Sequence, residues 1–303
     1  MKSINQKIPI DFPHGIELYI KREDLLHPII SGNKFRKLKY NIEEAKRLGC
    51  ATLLTFGGAF SNHILAVAGA GAQYGFKTIG VIRGEELESK IHENPTLVKA
   101  QELGMQFYFV SRTAYRNKAD FSFVVNLQKM FKNFYLIPEG GTNELAVKGC
   151  EEILTNDDKQ FFTHVACAVG TGGTFSGLIN SSNEKQQLIG FSSLKGMFLS
   201  DVIRNFVIKT NWDIVDEYHF GGYGKVTDEL IQFLNSFYKQ TNIPLDPIYT
   251  GKMFFGILDK IKNGYFSENS KILMIHTGGL QAIKGMNFAL QNKNKEIIRY
   301  DEN

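Results

Sequence analysis

Cysteine is scarce in this chain of 303 residues: Cys50, Cys150 and Cys167 are an odd number set far apart. That spacing excludes a disulfide framework and a cysteine-based zinc site, and it points to reduced thiols in a core. No apolar run approaches the roughly 18 residues a membrane-spanning helix needs. The opening residues, MKSINQKIPIDFP, lack the apolar centre of a secretory signal. The expected setting is therefore cytoplasmic, with no membrane partner. An excess of one charge is missing too, since 35 Lys and Arg against 31 Asp and Glu leave a formal +4. With lysines interleaved among acids, no nucleic-acid footprint is visible. There is also no short repeat, no low-complexity tract and no compositional linker. What is present, 43% hydrophobic and 22% charged residues with 24 phenylalanines, is the composition of a globular protein with ample core volume, long enough for two domains or one large α/β unit.

Along the chain, strand patterns alternate with helix patterns every twenty to thirty residues, which is the mark of a parallel α/β sheet. Strands are expected at residues 17–20, 51–56, 77–82, 105–110, 134–137, 164–169, 188–191, 214–218 and 272–276. Between them lie amphipathic or small-residue stretches. Asn94-Pro95 is a strong helix start, residues 113–131 carry one long amphipathic pattern, and helices are expected near 145–154, 227–238 and 252–262.

The segment SGNKFRKLKY at residues 31–40 sets two lysines, Lys34 and Lys37, three residues apart where a helix should open. Asn33 is a plausible N-cap. The stripe Phe35, Leu38, Ile42, Ala45 and Leu48 omits both lysines, so both should point away from the core. An amine in the first turn of a helix sits at the positive end of the macrodipole, which disfavours its protonated form and suits a nucleophilic or Schiff-base lysine. Taken alone, such a pair reads first as solvated lysines on an amphipathic helix, and the rest of the chain must argue otherwise.

Three glycine-rich turns follow strands. The strongest is Gly170-Thr171-Gly172-Gly173-Thr174-Phe175-Ser176-Gly177, where backbone N–H groups, hydroxyls and a helix N-terminus can converge on one anion. It matches neither a Walker A loop nor a dinucleotide fingerprint. A tight turn without a ligand is the plain alternative, and the surplus of threonine and serine favours a phosphate. A second turn, Gly57-Gly58-Ala59-Phe60-Ser61-Asn62-His63, lies at the carboxyl end of a strand, where α/β folds place ligands. Ser61 and His63 are too close in sequence to face one another as nucleophile and base, so anion binding or a plain Ser61 cap are the two readings. The third turn is His276-Thr277-Gly278-Gly279. Before it come Tyr249, Thr250 and Lys252 at a helix start, and Tyr223 within a run of glycines. His14, His27, His92, His164 and His219 form no metal-ligand spacing. Together, a lysine at a helix start, an anion-binding turn and polar strand ends suit one aldehyde-bearing phosphorylated cofactor, pyridoxal 5′-phosphate (PLP), which needs a lysine, a phosphate cup and a partner for its ring nitrogen.

On KREDLLHPIISGNKFRKLKY, GGAFSNH, VGTGGTFSG, LDPIYTGK and HTGG, the sequence resembles the D-cysteine desulfhydrase and 1-aminocyclopropane-1-carboxylate (ACC) deaminase family. Its members are PLP-dependent enzymes of the tryptophan synthase β-like fold, fold type II. The resemblance covers most of the chain in the same motif order and thins between Ser181 and Asp213. It implies an α/β architecture of two open, twisted, mostly parallel sheets flanked by helices. A smaller α/β domain at residues 45–142 would be inserted between the two parts, 1–44 and 143–303, of a larger PLP-binding domain. It further implies that Lys34 bonds the cofactor aldehyde, that Lys37 lies near the phosphate, and that Gly170, Thr171, Gly172, Gly173 and Thr174 cradle it. Asn62 would serve the ring 3′-oxygen, while Ser61 and the backbone of Asn62 and His63 hold the substrate carboxylate. Tyr223 and Tyr249 would stand around the substrate, and a homodimer is the family expectation.

ACC deaminases of this family carry a glutamate after the tyrosine of DPxY and a leucine before the last Gly-Gly; Thr250 and Thr277 stand there, as in D-cysteine desulfhydrases. A glutamate at the ring nitrogen makes a strong electron sink, which opening a cyclopropane without an α-proton requires. A threonine makes a weaker one, sufficient to expel a good leaving group such as thiolate. The expected activity is thus α,β-elimination from a small amino acid, D-cysteine first. ACC deamination, D-serine dehydration or racemisation, and a non-catalytic amino-acid-binding protein are the rivals.

Overall fold

The computed structural model describes residues 3–196 and 198–300. Ten strands form two sheets. They are β1 (Asn5–Lys7), β2 (Glu17–Lys21), β3 (Thr52–Gly57), β4 (Lys77–Arg83), β5 (Met105–Val110), β6 (Tyr135–Ile137), β7 (His164–Val169), β8 (Gln187–Ser192), β9 (Trp212–Val215) and β10 (Lys271–Ile275). The larger sheet runs β1-β2-β10-β7-β8-β9 and the smaller β5-β4-β3-β6. Every pairing is parallel except that of β1 with β2. All four strands of the smaller sheet fall within residues 45–142, whereas the larger draws on chain from both sides of that segment.

Buried strands such as β3 and β7 are near-continuous apolar runs because helices cover both faces of a parallel sheet. The smaller sheet packs under the alanine- and glycine-rich helix Asn62–Tyr74, whose Gly71 admits Thr78: a β-carbon on Gly71 would lie 2.3 Å from Thr78 Cγ2. That helix starts and stops where its sequence says. The Ser61 hydroxyl accepts from the N–H groups of His63 and Ile64, and Gly75 closes it at φ 76°. Asn94 likewise caps Pro95–Glu102.

The long pattern at 113–131 is two helices, Arg112–Arg116 and Phe121–Phe131, broken by a turn at 117–120. The short strand β1 and the helices Asn156–Phe161, Leu199–Arg204 and Ala282–Gln291 had no separate signal in the sequence. Charges at the end of β2 are buried and paired rather than solvated. Lys21 meets Asp158 at 2.7 Å, Arg22 meets Asp24 at 2.8 Å, and Glu23 meets Arg36 at 2.9 Å. The last pair docks the lysine helix, Asn33–Arg47, against the larger sheet's β2 end.

Candidate active site

The carboxyl ends of β3, β4, β6, β7, β8 and β10 open onto one cavity of about 400 Å³, the place where open α/β sheets take ligands. The lysine helix enters it N-terminus first. Its cap is Gly32, not Asn33, and Gly32 has φ 61°. A β-carbon there would lie 2.0 Å from the Thr277 carbonyl oxygen, so only glycine allows the helix start to touch the turn after β10. The Asn33 side chain instead donates to Thr174 Oγ1 at 2.8 Å, tying the helix to the turn after β7. These contacts fix the position of Lys34.

Both lysines line the cavity rather than facing solvent. Burial, and then the Lys37 charge, lower the Lys34 amine to about 7. Lys37 is 2% exposed, and its ammonium donates to the Gly140 carbonyl and Thr142 Oγ1, both at 2.9 Å, and to Thr171 Oγ1 at 3.3 Å. Among the described residues no carboxylate pairs with it, and burial lowers its pKa also. Beside it the turn Gly170-Thr171-Gly172 leads into the helix Gly173–Ser181, whose cap, Gly172, offers no side chain to the first N–H groups. Those donors stay available for an anion. Gly170 is tight against Tyr249: a β-carbon would lie 3.0 Å from its ring.

Across the cavity stand Ser61, Asn62 and His63. Thr55 donates its hydroxyl to the Ile137 carbonyl at 2.8 Å, so it must accept from His63 Nε2 at 2.7 Å. The ring therefore carries its proton on Nε2, and Nδ1 is a bare acceptor, buried and without a partner, as is Asn62 Oδ1. Burial and the two lysine charges hold the His63 pKa well below its usual value. Tyr223 and Tyr249 close the site with ring centroids 6.0 Å apart. Burial raises the pKa of both phenols, that of Tyr249 well above the ordinary value, so both stay protonated at neutral pH.

A lysine amine near neutrality, a buried unpaired ammonium and an uncapped glycine-rich helix start share one cavity. The family model described as pyridoxal-phosphate dependent enzyme matches residues 9–278. This chain belongs to the pyridoxal-phosphate-dependent enzymes. Its relatives include a Pyrococcus abyssi protein provisionally named 1-aminocyclopropane-1-carboxylate deaminase, 32% identical over 89% of this chain and 86% of that one. Another is the Arabidopsis thaliana bifunctional D-cysteine desulfhydrase/1-aminocyclopropane-1-carboxylate deaminase, 30% identical over 88% of this chain and 73% of that one. A crystal structure described as an ACC deaminase homologue superposes with a TM-score of 0.81 at 29% identity, covering 93% of this chain and 90% of that one. A hydrogen sulfide-producing enzyme from Fusobacterium nucleatum, at 20% identity and TM-score 0.67, over 92% and 96% of the two chains, shares the fold. The architecture is that of the fold type II PLP enzymes.

The residues present fit PLP, since the orphaned Asn62 and His63 atoms and the uncapped helix start are polar groups awaiting partners, and the Lys37 ammonium beside them has no carboxylate to balance its charge. Of the site residues expected from the sequence, Lys34, Lys37, Ser61, Asn62, His63, Gly170, Thr171, Gly172, Thr174, Tyr223, Tyr249 and Thr277 line the cavity. Two do not. Gly173 faces Thr142, whose Cγ2 lies 2.9 Å from where a β-carbon would be. Thr250 is a correction to the expected ring-nitrogen role: it is fully buried, and its hydroxyl donates to Asp246 Oδ2 at 2.6 Å. The Asp246 carboxylate also accepts from the N–H groups of Ile248, Tyr249 and Thr250, forming a knot that starts the helix Thr250–Lys262. Sequence reasoning missed Arg83 and Glu139 as lining residues. Their signal is position, since Arg83 ends β4 and Glu139 follows β6.

Proposed function

We propose that this PLP enzyme catalyses α,β-elimination from a small amino acid, with D-cysteine the first substrate, yielding pyruvate, hydrogen sulfide and ammonia. The observation that carries the reading is the cavity wall: the one acid among its described lining residues is Glu139, already bound by Tyr115 at 2.7 Å and Lys118 at 3.1 Å. With Thr250 turned toward Asp246, the hydroxyl left for the ring nitrogen is that of Thr277. A neutral hydroxyl does not hold a pyridine protonated as a carboxylate does, and the weaker electron sink suits loss of a good leaving group.

Bound PLP supplies the aldehyde that takes up the substrate amine and the ring that accepts electrons released at Cα. The chain does the rest. The turn Gly170–Thr174 and Lys37 hold the phosphate, and the Asn62 amide holds the ring oxygen. The Ser61 hydroxyl, with the N–H groups of Asn62 and His63, orients the substrate carboxylate at a helix N-terminus. The Lys34 amine, whose pKa is lowered to about 7 so that it is largely neutral above that pH, takes the proton from Cα. Tyr223 and Tyr249, held protonated, hydrogen-bond to the departing sulfur.

Keto-acid release from D-cysteine, L-cysteine, D-serine and ACC, assayed in parallel, tests this. The expected order places D-cysteine first. A larger kcat/KM for ACC, read as 2-oxobutanoate, would overturn the assignment in favour of deamination.

A further inference from the structure

A second cavity, of about 410 Å³, adjoins the first and shares Arg83 and Glu139 with it; Arg112, Tyr115, Arg116 and Lys118 complete its wall. The break at 117–120 builds it. Arg112 and Arg116 share one face of the helix Arg112–Arg116, and the turn after it sets Lys118 back over the ring of Tyr115, 4.8 Å from the centroid. Arg83 approaches that ring at 5.8 Å. Tyr115 is itself buried and donates to Glu139, so the cavity has a fixed floor.

Four cations surround this space. Lys118 is neutralised by Glu139, and Arg112 by Glu86 at 2.6 Å. Arg83 and Arg116 have no carboxylate partner among the described residues. Arg83 Nη2 lies 3.6 Å from where a β-carbon on Gly58 would stand, at the wall of the first cavity. Two unpaired guanidiniums, one of them shared with the reacting site, match the planar fork that recognises tetrahedral oxyanions. Neutral cysteine or serine would leave them unused.

We propose that this second cavity is an oxyanion subsite of the active site, selecting a small amino acid that bears a phosphate or sulfate ester on its β-carbon. The inference rests on the elimination reading above and narrows its substrate class. The chemistry is redox-neutral: the Cα–H and Cβ–O bonds break, the proton goes to Lys34, and the C–O electron pair leaves with the oxyanion. Water then converts the released enamine to pyruvate and ammonium. Arg83 and Arg116 stabilise the charge that leaves.

The test measures keto-acid release by the holoenzyme from both enantiomers of O-phosphoserine and of serine, from D-serine with added inorganic phosphate, and from D-cysteine. For one O-phosphoserine enantiomer, kcat/KM should exceed that of the matching serine by about tenfold or more, the scale of a charge-assisted contact. In R116M and R83M the ratio of kcat/KM for O-phosphoserine to that for D-cysteine should fall by at least about tenfold; a purely structural role would lower both substrates in parallel. D-Cysteine turnover without an O-phosphoserine advantage overturns this inference and leaves the elimination reading standing. An equal gain from D-serine with free phosphate makes the cavity an effector site and also overturns it. No turnover of any amino acid overturns both.

Discussion

Lys34 and Lys37 stand one turn apart on one helix, yet their amines meet different surroundings. Lys37 is spent on three oxygens, while the Lys34 amine has no hydrogen-bond partner among the described residues and opens onto the cavity. Burial disfavours the Lys34 ammonium, and the neighbouring Lys37 charge adds to it. The sign follows: a lowered lysine pKa means the amine sheds its proton as pH rises through about 7 and is nucleophilic above that. In the apoprotein, competitive labelling with acetic anhydride should show a Lys34 rate that climbs through pH 7 and levels by 8.5. Surface lysines should still be climbing near pH 10. A Lys34 profile coincident with theirs would overturn the assignment. At this scale the sequence was legible where chemistry and local motif coincide, as for Lys34 and Ser61. It misled at Thr250 because the hydroxyl turns back to Asp246, four residues earlier, within the local turn that starts the helix, and not toward the cavity.

Among the elements, the helix Thr250–Lys262 does more than cover the larger sheet. Its Lys252, 1% exposed, donates to the carbonyls of His219 at 2.8 Å and Gly222 at 2.9 Å. That ammonium helps to pin the glycine-rich loop carrying Tyr223, a residue 45% exposed whose ring leans on Tyr249. Lys252→Met leaves two carbonyls without their donor, and it should destabilise the protein by about 1–3 kcal/mol in urea unfolding and speed amide exchange across 220–224. Burial lowers the Lys252 pKa to about 8. The unfolded chain therefore holds more protons than the native one between pH 8 and the ordinary lysine value of 10.5. The cost of burying the charge is full below pH 8 and fades above it. Wild-type stability relative to Lys252→Met should consequently rise with pH across that window; a flat difference would show that the ammonium is not buried. Strands and caps of this fold were readable because β-runs and caps such as Asn94-Pro95 are local signals. The break at 117–120 was not, since the amphipathic period runs through it and the turn is fixed by Tyr115 reaching Glu139. Nor were the pairs Lys21–Asp158 and Glu23–Arg36, whose partners are 137 and 13 residues apart.

At the scale of the whole molecule, Lys37 joins three parts: its own helix, the segment Gly140 to Thr142 leaving the smaller sheet, and the turn after β7 of the larger one. An ammonium buried there without a carboxylate is costly, and a phosphate would repay it while drawing the two sheets together. Ligand stabilisation by mass action amounts to about 2.7 kcal/mol at a hundredfold excess over Kd, or several degrees in Tm for a chain of this size. PLP should thus raise the apoprotein Tm by several degrees, pyridoxal without its phosphate by much less, and inorganic phosphate alone by a measurable fraction. In Lys37→Met the apoprotein loses an uncompensated charge, so its Tm should fall little, but the advantage of PLP over pyridoxal at equal ligand concentration should shrink markedly. That pattern separates a phosphate contact from a merely structural bridge. If Lys37 serves only to hold the two sheets, the variant's Tm drops sharply and the advantage of PLP over pyridoxal survives. Differential scanning fluorimetry on both apoproteins, with the three ligands in parallel, decides between these outcomes without reference to catalysis.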